Sequence, residues 1–470
     1  MDTILQRFGD EGEGPKYRAV AGAIRGAIAA EEMAPGDKVP PVRELAWTLG
    51  ITPGTVARAY TILTEEGALN AEVGRGTFVA DPAARIEPLE PPRQIRWQQC
   101  SVPEVTDQVS LFSPKLPDMG QVQMIREALT CLSERPAADL LNYPSRAGFL
   151  PARQAVVRWL EGTPLGPLDP EDMVLSHGGQ NGISLVMQAV LRGPRPVVLL
   201  EELTYVGFRR AAELLRAEVV SVPMDEFGIV PEALESLVRQ HDAQILCTSP
   251  EMHNPTGLFT PLHRRQEIAE VAQRTGLQIL EDDCYRVGRS HELSYRALLP
   301  EQSWYVSSIS KTITPALRIG FAVAPQGRRA DLRRVAEHGF FGLAKPLADL
   351  TEGLLGHESI QEVMTRVRDE LERYIQTAVN VLGAYDLVWR PDMPFLWLRL
   401  PTGWRAGSFC QAAEAQGVQI RSSDEFVLRD GFAPHAVRIA VNAQVTLESF
   451  LAALERLRGL LDNPPERISV

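Results

Sequence analysis

The 470-residue chain predicts an α+β module at its N-terminus and a much larger α/β domain behind it. Three observations predict this. Residues 1–80 carry helix-period apolar stripes followed by two short strands around a glycine turn. Residues 81–107 hold five prolines (Pro82, Pro88, Pro91, Pro92 and Pro103), which interrupt any helix or sheet pattern and favour an extended spacer. Residues 108–470 alternate short apolar strands with helical stretches, and a chain this long exceeds one ordinary core.

Composition narrows the function classes. Forty-eight basic against sixty acidic residues leave a net charge of −12, which excludes a nonspecific nucleic-acid coat or a polybasic membrane binder but not one small DNA-reading module. Charged residues at 23% and hydrophobic ones at 44% are globular values, which excludes wholesale disorder. No apolar run approaches the ~18 residues of a membrane span. The acidic start MDTILQRFGDEGEGPKY has no apolar signal core, so a cytoplasmic protein is expected. Five scattered cysteines without a Cys-x-x-Cys pair indicate neither a disulfide framework nor a zinc ribbon.

In the first module, Val20, Ile24 and Ile28 form one stripe of a helix over 17–31. Val42, Leu45, Ala46 and Leu49 form the next, over 41–49, which Gly50 ends. Thr52 caps a third helix with Pro53 at its first position. That helix buries Val56, Ala59, Tyr60 and Leu63 and shows Thr55, Arg58 and Thr61 on its other face. Strands over about 68–73 and 77–80 flank Gly74-Arg75-Gly76. Three helices and an Arg-tipped hairpin make a winged helix-turn-helix, whose third helix enters the major groove while the wing touches the backbone or minor groove. A small helical module can equally be a protein-interaction domain, and the net charge of −3 over 1–80 does not favour DNA. Residues 38–64, however, carry Lys38, Arg43 and Arg58 against Glu44 alone.

The stretches Pro35–Ala46, Thr55–Tyr60 and Gly74–Val79 together resemble the GntR-type regulator signature. That resemblance implies double-stranded operator DNA as partner, touched by Arg43, Thr55, Arg58 and the wing's Arg75. Many such regulators place Ser-Arg-x-Thr before the Val of the recognition helix. Thr52-Pro53-Gly54-Thr55 stands here instead, so one usual arginine contact is missing and Arg58 carries more of the readout.

Five signals punctuate the long segment. Ser308-Ile309-Ser310-Lys311 follows the apolar strand Trp304–Val306. A lysine at a strand end is usually a solvated charge, whereas a Schiff-base lysine needs desolvation and neighbouring cations. The Ser-x-x-Lys of β-lactamases also requires Ser-Asp-Asn and Lys-Thr-Gly, and neither follows. Ser176-His177-Gly178-Gly179-Gln180-Asn181 precedes the apolar helix Ile183–Leu191, where glycines let backbone amides approach a phosphate, or make a plain tight turn. A lipase-type oxyanion loop would need a Gly-x-Ser-x-Gly elbow, which the chain lacks. Asn254-Pro255-Thr256-Gly257 follows one strand and Glu281-Asp282-Asp283-Cys284-Tyr285 another. The carboxyl ends of strands are where an open α/β sheet places its site. Arg318 stands seven residues after Lys311, before the strand Ile319–Ala324.

Taken in order, these signals resemble the fold-type I pyridoxal-phosphate enzymes of aminotransferase class I/II, with a large, mainly parallel sheet and a smaller α+β part. The resemblance implies pyridoxal 5′-phosphate on Lys311 as a Schiff base and Asp282 opposite its pyridinium nitrogen, so that the ring acts as an electron sink. It further implies Asn254 and Tyr285 at the ring hydroxylate, and Gly179, Gln180, Ser308 and Arg318 around the phosphate. Tyr205 would stack on the ring, Tyr143 would reach the phosphate across a homodimer, and Arg438 would hold a substrate or effector carboxylate. Gly179-Gln180-Asn181 replaces a commoner Ala/Ser-Gln-Gln, which puts a side-chain contact from Asn181 in question.

The whole order — head (1–80), spacer (81–107), aminotransferase-like domain (108–470) — resembles MocR-type transcriptional regulators. That implies a bacterial, DNA-associated sensor in which an amino compound exchanges with Lys311 to form an external aldimine and so shifts the DNA-reading heads. Two alternatives stay open: an active aminotransferase with an autoregulatory head, and a regulator that senses pyridoxal phosphate itself. No metal is expected.

Overall fold

The computed structural model describes residues 2–10, 15–72, 76–80, 108–135, 141–143, 145, 147–428 and 431–464. They fall into two compact units, Met1–Glu104 and Val105–Val470. The proline-rich spacer 81–107 and Arg75 lie outside the described residues.

Among its described residues the first unit has four helices, not three: Asp2–Asp10 (α1), Lys16–Ala29 (α2), Val42–Leu49 (α3) and Pro53–Glu65 (α4). The additional α1 corrects the reading of three helices beginning at residue 17. Ile4 is buried and Phe8 packs beside it against the same core as Val20 and Ile24, while Arg7 pairs with Glu32 at 2.8 Å. Gly50 ends α3 in the left-handed conformation, φ 62°. The Thr52 side chain accepts from the Thr55 amide at 3.4 Å, with Pro53 opening α4. Strands Leu69–Glu72 and Gly76–Val79 pair antiparallel. The Pro35–Val39 stretch lies along the second of them: Val39 N donates to Thr77 O and Val79 N to Asp37 O. Thus the Asp-Lys-Val of the signature pins the wing to the helices.

The second unit is built on a seven-stranded sheet. Across it run Met173–Ser176, Gly320–Val323, Ser303–Ser308, Gln278–Asp282, Ile245–Thr248, Val197–Glu201 and Glu218–Val222. Only Gly320–Val323 runs against its neighbours; the other pairs are parallel. The central strands are buried along their length, as expected of a sheet covered by helices on both faces. A smaller antiparallel sheet joins Leu387–Val388, Phe395–Arg399, Ala436–Ala440 and Arg421–Ser422. Val109–Ser110 pairs with Val418–Gln419 beside it, which ties the start of this unit to its end. Among the described residues, no helix is long and apolar enough to cross a membrane.

Candidate functional site

The sheet's carboxyl edge delivers the chemistry. Asp282 is the last residue of its strand and stands opposite Val306 of the next. That next strand runs two residues further to Ser308, which opens the single turn Ile309–Lys311 by accepting from Ser310 N at 3.4 Å. The turn brings Lys311 into the cavity that Asp282 also lines. Gly178 precedes the helix Gly179–Val190 at φ 78°, ψ 173°, a conformation that glycine alone adopts readily. A Cβ there would lie 2.6 Å from Arg318 Nη2, and one on Gly320 would lie 2.6 Å from the Gly178 carbonyl carbon. The glycines therefore let two backbone segments and one arginine crowd at a positive helix end.

One cavity of about 660 Å³ collects Gly179, Gln180, Tyr205, Asp282, Tyr285, Ser308, Lys311, Arg318 and Arg438. Lys311 Nζ donates to Ser113 Oγ at 3.1 Å and stands 5.5 Å from the centre of the Tyr285 ring. Tyr205 OH donates to Gln180 Oε1 at 3.0 Å, and Gln180 Nε2 donates to Gly207 O at 2.8 Å, which fixes the tyrosine on the cavity wall. Asn254 is one layer back, buried, with its Oδ1 accepting from Arg438 Nη1. Asn181 faces elsewhere: its Oδ1 accepts from His177 N at 3.0 Å, a local turn contact. Tyr143 does not line this cavity; it is 88% exposed, 6.1 Å from the ring of Phe341.

The three consecutive acids part company. Glu281 turns away and accepts from Tyr295 N at 2.7 Å, and burial pushes its carboxyl up to about 8. Asp283 takes Arg286 at 2.6 Å and the Tyr305 hydroxyl at 2.5 Å. Asp282 alone faces the cavity. Burial pushes it up to about 6, against the pull of hydrogen bonds from Cys284, whose amide donates at 3.0 Å. Burial also raises the Tyr205 hydroxyl, and lowers Arg438 with the Arg421 charge adding to the effect.

Sequence reasoning missed Ser113, Cys284, Arg421 and Glu425, all of which line the cavity. Cys284 was within reach, inside the Asp-x-x-Tyr motif. The others follow no strand-end motif.

In the first unit, Arg43 and Arg58 are exposed, and Arg58 stacks over Tyr17 of α2 at 4.2 Å. Thr55 is half-buried, its hydroxyl 2.9 Å from that of Thr52.

These features fit pyridoxal phosphate on two observations of the chain itself. Asn254 Nδ2 is buried without a partner among the described residues, a donor left over for a ring oxygen. The glycine-lined helix end with Arg318 leaves room and charge for a phosphate.

The aminotransferase class I and II family model matches residues 107–457, and the model for bacterial regulatory proteins of the gntR family matches residues 16–79. An uncharacterized HTH-type transcriptional regulator of Bacillus subtilis (strain 168), YdeF, is 25% identical over 97% of this chain and 96% of its own. The HTH-type pyridoxine biosynthesis transcriptional regulator PdxR of Corynebacterium glutamicum is 26% identical over 74% of each chain. The 2-aminoadipate transaminase of Thermus thermophilus is 29% identical over 63% of this chain and 76% of its own. The crystal structure of LysN, an alpha-aminoadipate aminotransferase from Thermus thermophilus, superposes with a TM-score of 0.67 at 24% identity, over 76% of this chain and 92% of that one, a likeness of fold. With its strand-end lysine and aspartate, its glycine-lined helix end and a GntR-type helix-turn-helix domain in front, the chain belongs to the aminotransferase class I and II family, whose cofactor is pyridoxal phosphate.

Proposed function

We propose that this protein is a DNA-binding transcriptional regulator that senses an amino compound in its aminotransferase-like domain. One observation carries the reading. Arg438 is 3% exposed, yet among the described residues the groups it hydrogen-bonds are neutral, the Asn254 amide, the Phe112 carbonyl at 2.8 Å and Tyr285, with Glu425 acting only through its charge. A buried cation without an anion is costly. It faces the same cavity as Lys311, so an anion site stands beside an amine site, the two ends of an amino acid.

When bound, the cofactor supplies a carbonyl carbon for which an incoming amine and the Lys311 amine compete. The chain's own residues do the rest. Asp282 would hold a proton at the ring nitrogen, Asn254 and Tyr285 would donate to the ring oxygen, and Tyr205 would cover the ring face. Gly179, Gln180, Ser308 and Arg318 would hold the phosphate, and Tyr143 would reach the site of a second copy. A Lys311 amine not engaged by the cofactor would pair elsewhere in the cavity, so the two states would differ in which residues hold which. That difference between the two states is all the free energy an effector has for moving the DNA-reading heads. In the heads, Arg43, Thr55, Arg58 and Arg75 would meet operator DNA, and such a protein works in the bacterial cytoplasm beside the chromosome.

The test follows cofactor absorbance and operator anisotropy together while amino compounds are added to the yellow holo-protein. Sensing predicts a lasting spectral change and altered DNA affinity, both lost in Lys311→Ala. A normal DNA response in Lys311→Ala would refute exchange at the lysine and favour a sensor of the cofactor itself. Because Lys311, Asp282 and Arg438 face one cavity, transamination is the second reading, and many equivalents of keto product per site would favour it.

A further inference from the structure

The cavity holds more positive charge than the cofactor and one carboxylate use. Its cations are Arg209, Arg210, Lys311, Arg318, Arg421 and Arg438; its acids are Asp282 and Glu425. In the proposed reading, Lys311 and Arg318 serve the cofactor and Arg438 serves the carboxylate of the amino compound. That leaves Arg209, Arg210 and Arg421; Arg209 holds the Val427 carbonyl at 3.0 Å, and of the three Arg421 alone faces Arg438 across the smaller sheet. It stands directly opposite Arg438 on the neighbouring antiparallel strand. Like charges at facing positions are destabilising, so a sheet gains nothing by pairing them. Both guanidiniums converge on one oxygen: Arg438 Nη2 donates to Phe112 O at 2.8 Å and Arg421 Nε donates to it at 3.1 Å. Arg421 is the more open of the two, and its outer nitrogen pairs with Glu425, a cavity-lining carboxylate four residues on.

We propose that the effector is an amino dicarboxylate, with its inner carboxylate on Arg438 and its outer carboxylate on Arg421 in place of Glu425. This rests on the reading of the cavity as an amino-effector site and adds the class of effector. The present partner of Arg421 is itself a carboxylate, so the position already accommodates one, and guanidinium–carboxylate geometry favours the exchange. Released Glu425 sits at the start of a strap. Phe426 O accepts from Thr204 N at 2.9 Å, Val427 O accepts from Arg209 Nη1 at 3.0 Å, and Val427 bridges to Leu203. The strap joins the smaller sheet to the cofactor-bearing part, so swapping an internal acid for an external one acts where the two meet.

Calorimetry on the holo-protein tests the diacid site without amine chemistry. Glutarate should bind about ten- to a hundredfold more tightly than butyrate, the usual worth of a charged hydrogen-bonded pair. In Arg421→Gln the ratio should collapse to about one to threefold, and because it is taken within one variant a poorly folded protein cannot mimic it. Glu425→Gln should tighten glutarate by removing its competitor. Equal binding of the two acids in the wild type, or a ratio that survives Arg421→Gln, overturns the proposal. Glutamate and norvaline are then compared by cofactor absorbance. If neither moves the spectrum while glutarate still binds selectively, the amine-sensing reading fails and the diacid site stands. If both move it at the same concentration and glutarate shows no preference, the diacid site fails and amine sensing stands.

Discussion

Replacing Asp282 with asparagine removes one of the cavity's two carboxylates and should change how cofactor binding depends on pH. Burial lifts the Asp282 carboxyl to about 6, roughly two units above its ordinary value of 3.8, with Cys284 restraining the rise. In the cofactor-free protein the acid is therefore largely protonated below pH 6. Its raised folded value means that its stabilising contribution is complete below the unfolded value and is lost as pH climbs through about 6. Two units correspond to ~3 kcal/mol in all. Binding a protonated ring nitrogen reverses the preference, because the ion pair needs the carboxylate charged. Protons then compete with the cofactor below pH 6. From pH 7 to pH 5 the affinity should fall about tenfold, the ratio of ionised fractions for a group titrating near 6. Absorbance titrations of cofactor into the stripped protein at several pH values measure this. Asp282→Asn should bind more weakly at pH 7 and lose that tenfold dependence. A wild-type profile that stays flat across pH 5 to 7, or a variant that keeps the full slope, would show that Asp282 is not the ionic partner of the ring.

Three further outcomes test other parts of the molecule. Gly178→Ala should weaken cofactor binding at least tenfold: the backbone conformation costs about 1–3 kcal/mol for a residue with a Cβ, and that Cβ would displace the Arg318 guanidinium from 2.6 Å away. An unchanged dissociation constant would remove Arg318 from the phosphate site. Ile4→Ala should destabilise the DNA-reading unit by about 2–5 kcal/mol, read as a lower midpoint in chemical denaturation, while cofactor absorbance stays put. Arg58→Ala should cost about 1–3 kcal/mol on the preferred operator if it reads a base edge, and should instead lower the salt slope by about one if it meets only phosphate. Anisotropy at several salt concentrations separates these, and undiminished operator binding would take Arg58 out of the interface.

What the sequence made legible were residues whose own local backbone needs are special. Gly50 must sit at positive φ, Thr52 and Pro53 can open only a helix, and Gly178 stands where a Cβ would strike an arginine. Each leaves a mark within a few positions of itself, and so do the strand-end acid Asp282 and the strand-end lysine Lys311. The N-terminal helix was missed: Ile4 and Phe8 are four apart, but they are two of only three apolar residues in nine, a faint stripe beside a run of acids. Ser113, Arg421 and Glu425 are a different case. They reach the cavity because Val109–Ser110 pairs with Val418–Gln419, and because the Arg421 strand lies against the Arg438 strand. Register across some three hundred residues is set by the packing of the whole smaller sheet, which no short motif encodes. The division follows function. Residues that hold a fixed cofactor sit on turns with fixed backbone demands and can be found one motif at a time. Residues that would choose among amino compounds sit where two distant segments meet, and there Arg421 can be exchanged without disturbing Lys311, Asp282 or the glycines at the helix end.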